Sequence, residues 1–301
     1  MNHQINILEK QITQIAYSEY TDNIKFSKIN DIILNFIKEH YFYKTKSIYA
    51  KFPIHYHIIP YYFRKILMNF YYRLQCENYD ELLIENNIGN FCDKYLLARE
   101  TEKNVYITFD IDTLQGYKKI DYFLNYLLNR KKENFKIIVF LPVCAFRYSE
   151  GHLLDLLKSG IEIACHGYDH SGKMQFDNEI KISEKLKKIK EFSIKFKVTK
   201  FRTPAFILTQ NLYNKIKLDF QEDWSVRDAY VKSGHLFGCF YSGILYDDNF
   251  ILRILNTLPD CDYVKTKFDD KMILKLMFDK LRYLEENNFS PILLFHPEPQ
   301  F

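Results

Sequence analysis

Glycine is scarce in this sequence, with 9 in 301 residues, about 3% against a usual share of roughly 7%. Each glycine is therefore expected to have a backbone role. The six cysteines include no Cys-x-x-Cys pair, so we expect reduced thiols rather than a disulfide framework. The sequence contains neither a run of about 18 apolar residues nor a recognisable signal peptide, so no membrane span is predicted and a cytoplasmic location is expected.

The net charge of the chain is also small. Lysine and arginine total 42 against 38 acidic residues, a net charge of +4, and only nine of the cations are arginine. This excess is too small to predict a nucleic-acid partner. Apolar residues make up 47% of the chain and charged residues 27%, which predicts a folded core and excludes wholesale disorder.

The first hundred residues differ in pattern from the rest. Helical stretches are predicted at 31–40 and 63–74, around an aromatic run at 52–72 that is flanked and interrupted by lysines and arginines. This run predicts either peripheral contact with an anionic membrane surface or an aromatic cap over the mouth of the following domain. We therefore expect a helical, aromatic-rich extension or cap at 1–100 and a separate catalytic domain at 101–301.

From residue 105 onward, short apolar runs alternate with longer amphipathic ones. Strands are predicted at 105–109, 136–141, 161–165, 200–202, 220–223, 250–255 and 291–295. Helices are predicted at 120–130, 153–158, 179–196 and 271–286. Such repeated alternation predicts an α/β fold with a parallel sheet or a (β/α) barrel.

Unusual polar residues follow five of these strands. They are Asp110 with Asp112, His166 with His170, Arg202, Asp223, and His296. In a (β/α) barrel the carboxyl ends of the strands lie on one face, where active sites are built. The shared position is stronger evidence for a site than any one of the clusters.

Each cluster also has a simpler interpretation. The Asp-x-Asp pair could be a polar turn, the two histidines could lie on the surface, and Arg202 and His296 could serve a loop. On a helical turn, however, the His-x-x-x-His spacing directs both imidazoles to one point. Two histidines and one carboxylate then form a metal site with open positions, which is a catalytic arrangement. His152 and His235 fit no such pattern, and we expect them to be structural rather than to lie on the substrate side.

The same residues resemble the motifs of the polysaccharide deacetylase family with NodB homology, also called carbohydrate esterase family 4. The resemblance covers roughly residues 103–301 and is nearest to the Asp-x-Asp branch that includes allantoinase-like and some peptidoglycan deacetylases. The matching segments are Thr108-Phe109-Asp110-Ile111-Asp112, His166 to His170, Arg202-Thr203-Pro204-Ala205-Phe206, Asp223-Trp224-Ser225 and Phe295-His296-Pro297. Phe206 replaces the glycine of the family motif, and Trp224 replaces a serine.

The resemblance implies an irregular (β/α)7 barrel and a role for each matching residue. Asp112, His166 and His170 would hold a divalent metal, Zn²⁺ first, with Fe²⁺, Co²⁺ or Ni²⁺ as alternatives. The catalytic set would comprise a general base, Asp110, paired with Arg202; a general acid, His296, oriented by Asp223; and an oxyanion donor, the backbone N–H of Ala205.

The function expected from this resemblance is metal-dependent removal of an acyl group, most simply acetyl, from an N-acylated amino sugar. A nucleotide- or lipid-linked precursor in surface polysaccharide biosynthesis would suit a cytoplasmic enzyme. One alternative is an allantoinase-like hydrolase of a small non-sugar amide or cyclic imide, and another is a non-catalytic carbohydrate-binding relative. The sequence does not define the oligomeric state.

Overall fold

The computed structural model describes most of the chain after residue 104. The described ranges are 22–40, 42–46, 104–130, 135–227, 229–230, 234–235, 243–255, 257–259, 270–286 and 290–298, with isolated positions at 11, 14, 15, 18, 62, 63 and 66. The predicted helix at 63–74 and the aromatic run around it lie largely outside these ranges. The proposed division at residue 100 therefore stays a prediction.

A long, mostly parallel sheet organises the described chain. Its strands and a separate hairpin are β1 (Val105–Asp110), β2 (Phe135–Leu141), β3 (Glu162–Cys165), β4 (Lys200–Phe201), β5 (Glu222–Arg227), β6 (Ala229–Tyr230), β7 (Gly234–His235), β8 (Gly243–Asp247), β9 (Phe250–Leu255), β10 (Thr257–Pro259) and β11 (Ile292–Phe295). Nine of them pair in the order β10-β11-β1-β2-β3-β4-β5-β9-β8, and β6 pairs with β7. All pairs in the large sheet are parallel except β8 with β9.

Helices connect most of these strands. They are α1 (Asp22–His40), α2 (Leu114–Leu128), α3 (Glu150–Lys158), α4 (Glu179–Phe196), α5 (Gln210–Ile216) and α6 (Asp270–Glu286). This alternation confirms the predicted irregular (β/α)7 barrel, although β10 and β8 stay unpaired with each other among the described residues. Helix α1 lies in the predicted N-terminal extension, whose helical character beyond α1 stays a prediction. The sheet is therefore an open arc there.

The positions of most elements match the sequence-based expectations. The strand at 250–255 and the helix at 179–196 are confirmed with the predicted bounds. Helix α2 begins six residues earlier than expected because Thr113 caps it, with the side-chain oxygen accepting a hydrogen bond from Gly116 N. Helix α5 and the edge strand β8 were not predicted, and at seven and five residues they are too short for a clear periodic pattern.

The inner face of the sheet carries a compact apolar layer below the carboxyl ends of the strands. Its buried members are Tyr106, Ile138, Phe140, Ala164, Trp224 and Ile292. Beneath it, Glu222 accepts hydrogen bonds from Trp224 Nε1 at 2.9 Å and Arg253 Nε at 3.2 Å. The outer face packs against the helices through a separate, larger core. Inward-pointing side chains above the apolar layer are thus brought together at one end of the barrel.

Helix α1 covers the antiparallel edge of the sheet. The Asn30 side chain donates to Tyr246 O and accepts from Tyr246 N, both at 2.8 Å, so it pairs with β8 as another strand would. Ile33 and Ile37 are fully buried on the same helix, and Lys38 pairs with Asp247 at 3.0 Å. Helix α1 therefore satisfies part of an otherwise open sheet edge. None of the described helices is long and apolar enough to cross a membrane.

The edge contact gives a stability prediction. Asn30→Ala should lower the free energy of unfolding by about 1–3 kcal/mol, because two partly buried backbone groups of Tyr246 lose their partners. The matched control is Asn35→Ala on the exposed side of the same helix, which should cost nothing or stabilise slightly. Urea unfolding of the metal-free proteins measures both. Equal stabilities of the two variants would contradict the proposed edge contact.

Candidate metal centre and active site

Sequence position and strand alternation bring the candidate residues to one rim. Asp110 ends β1, His166 follows β3, Arg202 follows β4 and His296 follows β11. The register pairs Thr108 with Leu294, so Asp110 and His296, each two residues farther on, continue along the same inner face. The parallel ladder therefore places side chains from four strands around one space.

Three of these side chains form a set that fits a metal ion. One ligand atom each from Asp112, His166 and His170 lies within 4.8 Å of the others. His166 Nε2 lies 3.6 Å and His170 Nε2 2.8 Å from Asp112 Oδ1. Ligand atoms about 2.0–2.1 Å from a tetrahedral Zn²⁺ are roughly 3.3 Å apart, which is close to these spacings. The donor types and their separation fit a divalent ion with open coordination positions.

The loop that carries the two histidines is not the helical turn that their spacing suggested. His170 has a φ of 56° and Gly167 a φ of 71°, both in the left-handed region. A Cβ at Gly167 would lie 2.8 Å from Pro204 Cδ. Glycine is therefore needed at this position both for the left-handed backbone conformation and for the close packing against Pro204. His166 Nδ1 lies 3.2 Å from the Arg202 carbonyl oxygen, which leaves Nε2 directed at the carboxylates.

Arg202 distinguishes the two aspartates. Its Nη1 donates to Asp110 Oδ1 at 2.6 Å and to Thr108 Oγ1 at 3.2 Å, and the guanidinium lies 3.9 Å from the centre of the Phe140 ring. Asp110 and Arg202 are 2% and 0% exposed, so this is a buried ion pair. Asp110 Oδ2 is 3.6 Å from His166 Nε2, beside the candidate metal set but tied to Arg202. Asp112 is thereby the better candidate ligand.

The electrostatics of the set favour an ionised Asp112. Burial acts to raise its pKa, but the charge of His170 and hydrogen bonds from His166 and His170 hold the pKa well below its usual range. Burial likewise disfavours a charged His170, yet Asp112 raises the pKa of this imidazole. In the absence of a metal, the carboxylate and His170 stabilise each other as an ion pair.

His296 and Ala205 lie at the same end of the fold. His296 Nε2 is 4.0 Å from Asp112 Oδ2, so the imidazole borders the candidate metal set. Ala205 and Phe206 both have left-handed backbone conformations, with φ of 52° and 56°, which are uncommon for residues other than glycine. Phe206 packs against the inner apolar layer, with its ring 5.7 Å from the Arg202 guanidinium. The assigned roles of His296 and Ala205 stay predictions.

Asp223 is not brought to His296. It lies within β5 rather than after it, and strand alternation directs Trp224 to the inner face and Asp223 to the outer one. Asp223 Oδ1 accepts hydrogen bonds from Ser225 N and Oγ, at 3.2 and 2.5 Å. His296 Nε2 instead lies 4.0 Å from Asp112 Oδ2, and its charge also acts on Glu298. The fully buried position of Asp223 raises its pKa to about 7, despite the Ser225 hydrogen bonds.

Glu298 is a site residue that the sequence reasoning missed. Its Oε1 accepts a hydrogen bond from Asp112 N at 2.8 Å, and burial together with the Asp112 charge raises its pKa to about 7. The sequence feature that could have identified Glu298 is its position two residues after His296.

The two histidines outside the site motifs have other positions. His152 bridges Tyr117 and Asp121 at 2.8 and 2.7 Å, an arrangement that connects α3 to α2. His235 lies in β7, and its predicted structural role stays a prediction.

Comparisons with known proteins give limited likenesses. No family model and no curated protein matches the chain. Among solved structures, a candidate polysaccharide deacetylase from Mycobacterium smegmatis is 17% identical with a TM-score of 0.44, covering 66% of this chain and 79% of that one. A CE4 family pseudoenzyme from Bacillus anthracis is 17% identical with a TM-score of 0.39, covering 65% of this chain and 56% of that one.

A mutant CE4 pseudoenzyme with restored enzymatic activity is also similar. It is 18% identical with a TM-score of 0.39, and the match covers 66% of this chain. The chain spans 58% of that protein's length. At such low identities and TM-scores, none of these likenesses assigns a family or an activity to this protein.

Asp223 gives a prediction about pH and stability. The pKa of Asp223 is about 7 in the folded protein, against an ordinary value of 3.8. The contribution of its protonated form to the free energy of unfolding is therefore fully present below about pH 4 and is lost as the pH rises through 7. Asp223→Asn keeps the oxygen that accepts from Ser225 but cannot ionise. The stability of the wild type relative to this variant should therefore fall from about pH 5 to about pH 8, by at most about 1.4 kcal/mol per pH unit.

Urea unfolding in a chelating buffer at several pH values measures this difference. The control is Asp155→Asn on α3, which makes the same substitution at an exposed carboxylate and is measured at the same pH values. A pH-independent difference for Asp223→Asn would show that the Asp223 carboxyl group titrates normally.

Proposed function

We propose that this protein is a metal-dependent amide hydrolase of the carbohydrate esterase family 4 type, acting on an N-acylated, most simply N-acetylated, amino sugar. One observation carries the proposal: a buried carboxylate held by Arg202 lies beside three candidate metal ligands, with a histidine at the same rim. A base, an electrophile-binding position and an acid around one space are what amide hydrolysis requires.

The base side of the reaction rests on Asp110 and Arg202. Asp112, His166 and His170 would hold a divalent ion, which would supply Lewis acidity towards the amide carbonyl and would lower the pKa of a water molecule. Asp110 Oδ2 faces His166 Nε2 at 3.6 Å and is the oxygen available to take a proton from that water. Arg202 Nη1 holds Oδ1 at 2.6 Å, which orients the Asp110 carboxylate and leaves Oδ2 directed towards His166.

The acid side is assigned to His296. An amine anion is a very poor leaving group, so the nitrogen must receive a proton as the tetrahedral intermediate collapses. His296 borders Asp112 on the side of β11, whereas Asp110 is tied to Arg202 from β4. The backbone N–H of Ala205 is the proposed oxyanion donor.

The buried ion pair argues against the non-catalytic alternative. A sugar-binding protein has no need to bury Asp110 and Arg202 at 2% and 0% exposure beside a metal-ligand set, because desolvating two charges is costly. The allantoinase-like alternative uses the same chemistry and differs only in substrate. The sugar carrier, the metal and the compartment stay predictions from the sequence: a nucleotide- or lipid-linked precursor, Zn²⁺ and the cytoplasm.

The substrate class can be tested directly. The full-length protein loaded with Zn²⁺ should release acetate and a free amine from one or more N-acetylated sugar nucleotides, and should not open allantoin. Amine labelling and acetate detection measure the first reaction, and loss of allantoin the second. Turnover of allantoin alone would transfer the assignment to the allantoinase-like class. Inactivity on every N-acyl substrate, with metal bound, would favour the non-catalytic relative.

The two aspartates should give different phenotypes. Asp110→Asn should retain stoichiometric metal while lowering kcat by roughly 10²–10⁴-fold, because it removes a general base but no ligand. Asp112→Asn should lose metal first and activity with it. Elemental analysis beside steady-state kinetics separates these effects, with the exposed Asp155→Asn as the control. The opposite pattern would exchange the roles of the two aspartates.

A further inference from the structure

The backbone of Asp112 is fixed by a side chain from the far end of the sequence. Asp112 N donates to Glu298 Oε1 at 2.8 Å in a buried hydrogen bond between positions 186 residues apart. On either side, Ile111 N donates to Phe140 O at 3.0 Å, and Thr113 caps helix α2. Glu298 therefore makes a long-range contact at the residue that offers its carboxylate to the proposed metal.

Gly116 leaves the space that Glu298 occupies. A Cβ built on Gly116 would lie 1.8 Å from Glu298 Oε2 and 2.6 Å from its carboxyl carbon. The residue lies in the first turn of α2, where glycine is a poor helix former and no positive φ requires it. The room it gives to a neighbouring carboxylate is thus the physical reason for glycine here.

We propose that Glu298 is a positioning residue that sets the Asp112 carboxylate for metal binding, and that Gly116 is required to admit it. The proposal rests on the function proposed above. Glu298 follows His296 by two residues, so one short segment beyond β11 holds both the proposed acid and the support of a proposed metal ligand. A glutamate is long enough to reach the Asp112 N–H from that segment, and its acceptor oxygen is the required feature.

Zn²⁺ affinity tests this role without relying on turnover. Gly116→Ala should displace the Glu298 carboxylate, and Glu298→Leu should remove the acceptor at similar size. Each should weaken Zn²⁺ binding by about 10–100-fold, the usual cost of losing a group that orients a metal ligand. Glu298→Gln retains an acceptor oxygen and should stay within about threefold of the wild type.

The matched control is Gly151→Ala in the first turn of α3, where an added Cβ would meet nothing closer than Ser149 Oγ at 4.0 Å. It should leave Zn²⁺ affinity unchanged. Competition with a chelator measures affinity in the full-length protein, melting in EDTA checks the fold, and the visible spectrum of the Co²⁺ form reports ligand geometry. The Gly116→Ala and Glu298→Leu spectra should differ from the wild type, whereas those of Glu298→Gln and Gly151→Ala should match it.

The outcomes separate this inference from the proposed function. If the wild type binds no stoichiometric Zn²⁺, the metal-dependent function fails. If the wild type binds Zn²⁺ and either Glu298→Leu binds it as tightly or Glu298→Gln is equally impaired, the positioning role is wrong. Unfolding of both Gly116→Ala and Glu298→Leu in EDTA would make Glu298 a residue of general stability and would likewise overturn it.

Discussion

The buried ion pair between Arg202 and Asp110 is the interaction around which the proposed site is arranged. Arg202 extends from the end of β4 across the barrel interior, donating to Thr108 and Asp110 from β1 and to the Trp224 carbonyl of β5. Its guanidinium also lies against the Phe140 ring of β2. One side chain thus connects four strands. Burying this charge is tolerable only where an opposite charge and hydrogen-bond acceptors lie close to it, so the pair constrains the positions of these strands.

A second constraint is the concentration of ionisable groups at one rim. Asp110, Asp112, His166 and Glu298 are all buried there, and His170 and His296 are close to Asp112. Desolvated carboxylates so close together repel one another unless positive charge separates them. Arg202 supplies that charge to Asp110, and His170 supplies it to Asp112. A divalent cation at the proposed site would add to it, which is why the cluster is better suited to binding a metal than to stabilising the fold.

Much of the scaffold followed from local patterns. Seven strands of the large sheet, β1 to β5, β9 and β11, and helices α3, α4 and α6 were anticipated because their apolar periodicity is long or is bounded by clear polar breaks. The shorter α5, β8 and β10 were missed for lack of such a signal. Polar residues just after strands were also informative, because parallel strands end on a common edge. The His-x-x-x-His spacing predicted convergence correctly for two side chains but assigned it to a helical turn, whereas left-handed residues shape the loop.

The sequence by itself determined which residue types lie at the ends of the strands: acids after β1, histidines after β3 and β11, and arginine after β4. The tertiary structure decided which of them meet. Asp223 was one residue out of phase with the inner face, since alternate side chains in a strand point to opposite sides of the sheet. Glu298 and Gly116 are 182 positions apart, and neither carries a local signal of their contact. Folding brings β11 beside β1 and thereby places Glu298 against Gly116. Only the structure could therefore show why position 116 carries a glycine, which is that the buried Glu298 carboxylate occupies the space a side chain would need.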